Sequence, residues 1–127
     1  MPAGDQQRLY ALRGAISVDE NSERAILEAT SELVREIMSR NELSPDRMVS
    51  CVFSCTTDLN AQFPAVAARD LGLDSVPLLC TQELEIPGAL PRVIRVLLHY
   101  YADPGHSAQH VYLGEARSLR ADLDAAQ

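Results

Sequence analysis

The chain has 127 residues, of which 46% are hydrophobic and 23% charged, values that are ordinary for one globular domain with a real core. Its net charge of −7 disfavours nucleic acid as the main partner, and no apolar run reaches the roughly 18 residues that a membrane span needs. Residues 1–10 lack the apolar core of a signal peptide. We therefore expect a cytoplasmic protein, with one domain over residues 1–127, that binds neither nucleic acid nor membranes.

Periodicity along the chain predicts the order β-α-β-α-β-β-β. Strands are predicted over residues 9–18, 48–55, 75–86, 92–102 and 110–119, and helices over about 22–40 and 63–72. The first helix can be capped by Ser22 or Asn21, while Pro64 suits the first turn of the second and Gly72 its end. We expect an α+β fold, a five-stranded mixed sheet with both helices on one face, flanked by mobile residues 1–8 and 120–127.

Such a sheet leaves its second face bare, and small domains usually cover such a face by oligomerising. We therefore expect a closed homo-oligomer. The three cysteines and three histidines show no spacing typical of a disulfide framework or a zinc site. We expect no metal and no cofactor.

Arg95 is the most unusual charge in the chain, because it interrupts the apolar run PRVIRVLLHYY. Strand alternation places it on one face with Val93, Leu97 and His99. It could protect an edge strand, form an internal ion pair with Glu83 or Glu85, or bind an anionic ligand. The sequence contains no recognisable nucleophile–base pair and no Gly-rich phosphate loop, so an enzyme with this sequence would act by positioning and electrostatics.

Four segments carry a family resemblance. LRGAISV, TTDLNAQFPAVAARDLG, VPLLCTQELEIPGALPRVIRVLLHY and HVYLGEARSLRADL occur in this order between about residues 9 and 123. Together they resemble the AroH class of chorismate mutases. The resemblance implies an isomerase that rearranges chorismate to prephenate, on the shikimate route to Phe and Tyr. It also implies a homotrimer that forms a pseudo-α/β barrel, with active sites in clefts between adjacent subunits.

The resemblance also implies roles for individual residues. Arg13 would bind a substrate carboxylate, with Tyr112 beside it. Arg95 would reach the ether oxygen of the breaking C–O bond. Glu83 would accept a hydrogen bond from the ring hydroxyl, and Cys80 would lie close to the same hydroxyl. Cys80 could equally be a small core residue, and Tyr112 a packed strand tyrosine.

Further residues complete the implied site. Phe63 and Arg69 would come from the neighbouring subunit, and Arg120 would lie on a C-terminal segment that helps to close the site. The sequence departs from the family pattern at Val66, which often is a lysine, at Leu79, which commonly is a small hydroxyl residue, and at Ala121, which usually is a proline. At Leu79 a backbone contact with substrate can survive while a side-chain contact cannot.

Two other functions stay open at this point. A trimeric imine/enamine deaminase of similar fold also uses an interface arginine to bind a carboxylate, although the segment resemblance disfavours it. A non-catalytic, carboxylate-binding trimer would bind such a ligand without turning it over.

Overall fold

The computed structural model describes residues 6–119. The mobility predicted for the two termini, and the roles predicted for Arg120 and Ala121, concern residues that lie mostly or wholly outside this range. The elements occur in the predicted order: β1 (Arg8–Ser17), α1 (Glu23–Arg40), β2 (Met48–Cys55), α2 (Ala65–Asp70), β3 (Leu78–Gln82), β4 (Val93–Ala102) and β5 (Val111–Leu113). The predicted α+β class is confirmed.

Two predicted strands were too long. The strand predicted over 75–86 spans only Leu78–Gln82, because Leu73–Ser75 form a 3-10 turn and Pro77 has no N–H to donate to the sheet. The strand predicted over 110–119 ends at Leu113, because Gly114 has a φ of 61° and begins a second 3-10 turn. Arg117 therefore follows that turn and does not interrupt a strand, contrary to the prediction.

The second helix is also shorter than the predicted 63–72. It spans Ala65–Asp70, with Pro64 as its N-cap residue and Leu71 as its C-cap residue. Gly72 then adopts a φ of 101°, a left-handed conformation that favours glycine and ends the helix.

The five strands form one mixed sheet in the order β3-β2-β4-β1-β5. β4 is antiparallel to both β1 and β2, whereas β5 runs parallel to β1 and β3 runs parallel to β2. The three longest strands therefore occupy the middle of the sheet, where each is hydrogen-bonded on both sides. The backbone that carries the side chains of these strands is therefore held in place by both neighbouring strands.

Both helices cover the same face of the sheet. Ser22 caps α1 by accepting the Ala25 N–H at 3.1 Å, and α1 buries Ile26, Leu33, Val34 and Ile37 in a core shared with α2 and the strands. The close packing of β1 against α1 and β5 requires Gly14, since a Cβ at this position would lie 3.0 Å from the Val111 carbonyl oxygen and 3.2 Å from Ile37. Neither α1 nor α2 is a candidate membrane span, being too short or too polar for that role.

Neither α1 nor α2 packs on the second face of the sheet, and the 3-10 turn Gly114–Ala116 covers one end of it. This face holds a small buried cluster of Ala15, Val93, Tyr112 and Ala116. Beyond this cluster, large apolar side chains of the strands stay exposed: Leu9, Leu79, Leu97 and Tyr101. The predicted bare face is present in residues 6–119, and Arg95 lies on it.

Candidate active site

Strand register brings four side chains into one row across the bare face. Tyr112 of β5 lies opposite Ala15 of β1, Ala15 lies opposite Arg95 of β4, and Arg95 lies opposite Ser54 of β2. Arg13 pairs with Leu97, so Arg13 and Arg95 are diagonal neighbours, roughly 7–8 Å apart at the backbone. Ala15 is fully buried by its neighbours on this face, so the open space lies beside it, over Arg13 and Arg95.

This space is a cleft of about 190 Å³, which we call the arginine cleft. Its walls come from β1, β2, β4 and β5. They are formed by Arg13, Gly14, Val52, Ser54, Arg95, Val96, Leu97 and Tyr112. Two guanidinium groups thus face one small, otherwise mostly apolar space. An anionic ligand is the natural occupant of such a cleft, because the net charge of the whole chain is −7 and only local cations can attract an anion.

Arg95 and Glu83 form an ion pair at the edge of the arginine cleft. Arg95 Nε lies 2.5 Å from Glu83 Oε1, and the two side chains are 42% and 25% exposed. The Nε atom is shielded from solvent, yet within residues 6–119 its N–H has no well-aligned acceptor. The contact is therefore a close approach of charges without an ideal hydrogen bond. Of the alternatives left open for Arg95, the pair with Glu83 is the one the structure contains.

Two further hydrogen bonds hold Glu83, one at its carboxylate and one at its backbone. Ser54 Oγ donates a hydrogen bond to Glu83 Oε2, and the Glu83 backbone N–H donates to the Cys55 carbonyl at 2.8 Å. Both partners belong to β2, so Glu83 is fastened to this strand although it lies one residue beyond β3. Ser54, Glu83 and Arg95 form a continuous polar chain across β2 and β4.

Arg13 and Tyr112 form the opposite side of the arginine cleft. The Tyr112 side chain is largely buried, and the backbone N–H of Arg13 donates to His110 Nδ1 at 3.0 Å. This acceptor identifies Nδ1 as the unprotonated ring nitrogen. His110 comes immediately before β5 and therefore ties the two parallel strands β1 and β5 together next to Arg13.

Phe63 and Arg69, which are expected from a neighbouring subunit, do not line the arginine cleft of their own chain, and neither do Leu79 and Cys80. Phe63 is 65% exposed and, with Cys80, lines a second cleft of about 330 Å³, which we call the Phe63 cleft. Leu79 is also exposed, and it lies on the bare face next to Val52. Arg69 is exposed on α2. Arg120 lies outside the described residues, and the structure does not bring this second group to the arginine cleft within one chain.

Cys51, Cys55 and Cys80 lie on neighbouring strands, β2 and β3. Burial raises the pKa of the Cys51 thiol to about 12 and that of Cys55 to about 11, with smaller contributions from the nearby Cys80. These two thiols are protonated and inert at neutral pH. Cys80 is half-buried, packs against the edge of the core and lines the Phe63 cleft but not the arginine cleft, so its place beside the ring hydroxyl stays a prediction.

Another cavity, of about 340 Å³, lies between α1 and the turn at Gly114. It carries the carboxylates of Asp19, Glu28 and Glu32, whose charge repels an anionic ligand. Across residues 6–119 there is also no group of three or more His, Cys, Asp or Glu residues with metal-binding geometry. The arginine cleft is therefore the candidate site for an anionic substrate.

Comparison with known proteins decides the family. The profile described as chorismate mutase type I matches residues 9–123. Chorismate mutase AroH of Thermus thermophilus is 46% identical over 118 residues, covering 91% of this chain and 97% of that protein. Chorismate mutase AroH of Bacillus subtilis is 40% identical over 117 residues, covering 91% and 92%. This chain belongs to the type I chorismate mutase family.

The fold agrees with this assignment. A solved chorismate mutase from Clostridium thermocellum matches the structure with a TM-score of 0.82 and 39% identity, covering 86% of this chain and 98% of that one. The resemblance found in the four sequence segments is confirmed, and the enzyme is an isomerase of aromatic amino acid biosynthesis. The deaminase and the non-catalytic binding protein are not favoured.

Sequence reasoning missed two polar side chains of this chorismate mutase. Ser54 was not singled out, although alternation along strand 48–55 places it on the same face as Val52 and it is one of two serines in a strand whose other residues are apolar. No pattern in the sequence points to the bond between His110 and the Arg13 backbone, because that bond depends on the parallel pairing of β1 with β5.

Proposed function

We propose that the arginine cleft binds chorismate and that its charged side chains drive the rearrangement to prephenate. One observation carries this proposal: Arg13, Arg95 and Tyr112 line the same cleft, with Glu83 held against Arg95. Chorismate carries two carboxylates, one ether oxygen and one ring hydroxyl. Arg13 and Arg95 offer cations for the carboxylates and the ether oxygen. Glu83 offers a carboxylate that can accept a hydrogen bond from the ring hydroxyl.

The reaction is an intramolecular [3,3]-sigmatropic shift, which needs neither a nucleophile nor a proton transfer. Its transition state is polarised, because the C–O bond breaks ahead of C–C bond formation and negative charge develops on the ether oxygen. A fixed cation at this oxygen binds the transition state more tightly than the ground state, which is the condition for acceleration. Arg95 supplies that cation from the centre of the sheet, where its backbone is fixed by both neighbouring strands.

Arg13 and Glu83 would hold the two ends of the substrate. Arg13 binds a carboxylate, with Tyr112 beside it, and Glu83 accepts a hydrogen bond from the ring hydroxyl. Chorismate must fold into a compact, chair-like conformer before its ends can react, so two fixed contacts reduce the entropy that the reaction must lose. In the free chain Glu83 contacts Arg95, and this contact keeps both charges neutralised until substrate enters between them.

We further propose that the enzyme is a homotrimer whose sites lie between subunits. Ligand pockets usually measure about 300–1,000 Å³, and the arginine cleft, at about 190 Å³, is smaller. A neighbouring subunit would add the missing wall with its Phe63 and Arg69. The exposed apolar residues of the bare face support burial of that face in the assembly. The cytoplasmic location stays a prediction.

The activity is tested by incubating purified protein with chorismate. We expect loss of the ultraviolet absorbance of chorismate with prephenate as product, and no hydrolysis of 2-aminoacrylate. Hydrolysis of 2-aminoacrylate without any effect on chorismate would instead favour the deaminase, and binding of chorismate without turnover would favour the non-catalytic trimer.

The interface arrangement has a separate test, in which two inactive variants are mixed. Arg95→Ala damages the arginine cleft, and Arg69→Ala damages the wall that a neighbouring subunit would supply. After joint unfolding and refolding at equal amounts, random cyclic trimers would regain about one quarter of the wild-type activity. No recovery from the mixture, in trimers shown by light scattering to contain both variants, would contradict a site shared between subunits.

A further inference from the structure

Ser54 is an uncharged polar side chain that lies next to both charged groups at the edge of the arginine cleft. It lies opposite Arg95 in the β2–β4 pair, and its hydroxyl donates to Glu83 Oε2. The other oxygen of the same carboxylate, Oε1, lies 2.5 Å from Arg95 Nε. Each oxygen of Glu83 therefore has its own partner on a different strand.

Glu83 needs such support because it lies outside the sheet. β3 ends at Gln82, and the residues that follow, Leu84 and Ile86, are strongly exposed. One backbone bond, from the Glu83 N–H to the Cys55 carbonyl, fixes the main chain at this point. That bond leaves the rotatable bonds of the glutamate side chain unconstrained, so the position of the carboxylate depends on the contacts of its two oxygens.

We propose that Ser54 is a positioning residue that fixes the orientation of the Glu83 carboxylate for the reaction. This proposal rests on the proposed roles of Glu83 and Arg95. Without the hydroxyl, Oε2 is free to rotate toward Arg95, because a guanidinium group pairs readily with both oxygens of a carboxylate. Arg95 would then be occupied by Glu83 when the ether oxygen needs it, and the acceptor for the ring hydroxyl would be displaced.

The first experiment compares three single variants by steady-state kinetics with chorismate and by thermal unfolding. Ser54→Ala is expected to lower kcat about tenfold, the loss typical of one hydrogen bond to a charged group, with a smaller change in KM. Ser54→Thr keeps the hydroxyl on a residue that suits a strand and is expected to retain most of the activity. Ser50→Ala is the matched control, because Ser50 lies on the same strand but its hydroxyl faces His99 Nδ1 at 3.3 Å, away from the cleft lining.

The second experiment repeats the change in a Glu83→Ala background. If Ser54 acts through Glu83, Ser54→Ala costs nothing further once the carboxylate is gone. An equal loss in both backgrounds would overturn the proposal, as would a Ser54→Ala enzyme within about twofold of wild type or a Ser54→Thr enzyme as slow as Ser54→Ala.

The proposed role of Glu83 and the positioning role of Ser54 are contradicted by different results. If Glu83→Ala lowers turnover strongly while Ser54→Ala does not, the role of Glu83 stands and the positioning role of Ser54 is wrong. If Glu83→Ala leaves turnover unchanged, the proposed role of Glu83 is wrong and the positioning role falls with it. A Ser54→Ala enzyme that unfolds at a lower temperature, with Ser54→Thr failing to restore its kcat, would identify a purely structural serine.

Discussion

Removing the Arg95 side chain is expected to abolish most of the turnover while leaving the fold intact. The pair with Glu83 is half-exposed at its arginine end, and exposed ion pairs contribute only about 0–1 kcal/mol to stability. Arg95→Ala should therefore lower the unfolding temperature by a few degrees at most. We therefore expect a folded variant that can be used for kinetics.

Arg95→Ala should cost far more in activation free energy than in the free energy of unfolding. Deleting one preorganised donor at a developing oxyanion typically costs about 2.7–4 kcal/mol, which corresponds to roughly 10²–10³ in kcat. Arg95 also carries a full charge, so we expect at least about a 10³-fold decrease for Arg95→Ala. Arg95→Lys keeps the charge but loses the planar fork and Nε. Its kcat should lie between that of the wild type and that of Arg95→Ala.

The assay follows chorismate absorbance over a range of substrate concentrations, with assembly checked by light scattering. Arg24→Ala is a suitable control, because Arg24 also pairs with a glutamate, Glu28 at 2.9 Å, but on the exposed surface of α1. Its kinetics should match those of the wild type. An intact Arg95→Ala enzyme that keeps more than about a tenth of the wild-type kcat would refute the electrostatic role of Arg95.

Three further predictions concern other parts of the molecule. Arg13→Ala should raise the KM for chorismate more than it lowers kcat, because a carboxylate contact exists in both the ground state and the transition state, and steady-state kinetics will show this. Gly114→Ala should lower the midpoint of thermal unfolding measured by circular dichroism, because Gly114 has a φ of 61° and a Cβ there would lie 2.5 Å from Ser17 Oγ. The free energy of unfolding should fall as pH rises above 9.0, because thiols in the unfolded chain ionise near that value while burial raises the pKa of Cys51 to about 12 and of Cys55 to about 11 in the folded chain. Urea titrations at several pH values measure this slope, which a Cys51→Ala/Cys55→Ala variant should reduce.

The long elements of the fold could be predicted from local patterns, because each has a strong periodicity. Helix α1 has apolar residues at helical spacing and a cap at Ser22, and β2 and β4 are rich in β-branched and apolar residues. The last strand could not be predicted correctly. Its extended backbone ends where Gly114 adopts a positive φ to pack against Ser17, and this contact joins residues that are far apart in sequence.

The candidate site could be predicted in part, for a related reason. Alternation correctly placed Arg95 on one face of its strand, but the identity of its neighbours depends on strand order, which periodicity does not contain. The family resemblance supplied Arg13, Glu83 and Tyr112 as companions. The proximity of Ser54 to Glu83 became evident only from the pairing of β2 with both β3 and β4.

The architecture holds the cations and the carboxylate of the cleft by different means. Arg13 and Arg95 project from β1 and β4, two central strands paired along most of their length, so the cations are held by the most rigid part of the molecule. Glu83 projects from the start of an exposed connection and depends on side-chain contacts for its position.

This difference in how the cations and the carboxylate are held suits the reaction. The cation must be in place before charge develops on the ether oxygen, since reorganisation during the reaction would reduce its benefit. The hydroxyl, by contrast, carries little change in charge, so its proposed acceptor needs a fixed position more than it needs a full negative charge. We therefore expect substitutions at Glu83 to be more tolerant of conservative exchange than substitutions at Arg95. Glu83→Gln, which keeps an acceptor oxygen but loses the charge that holds Arg95, should retain more kcat than Arg95→Lys. The reverse order would show that the carboxylate charge itself stabilises the transition state.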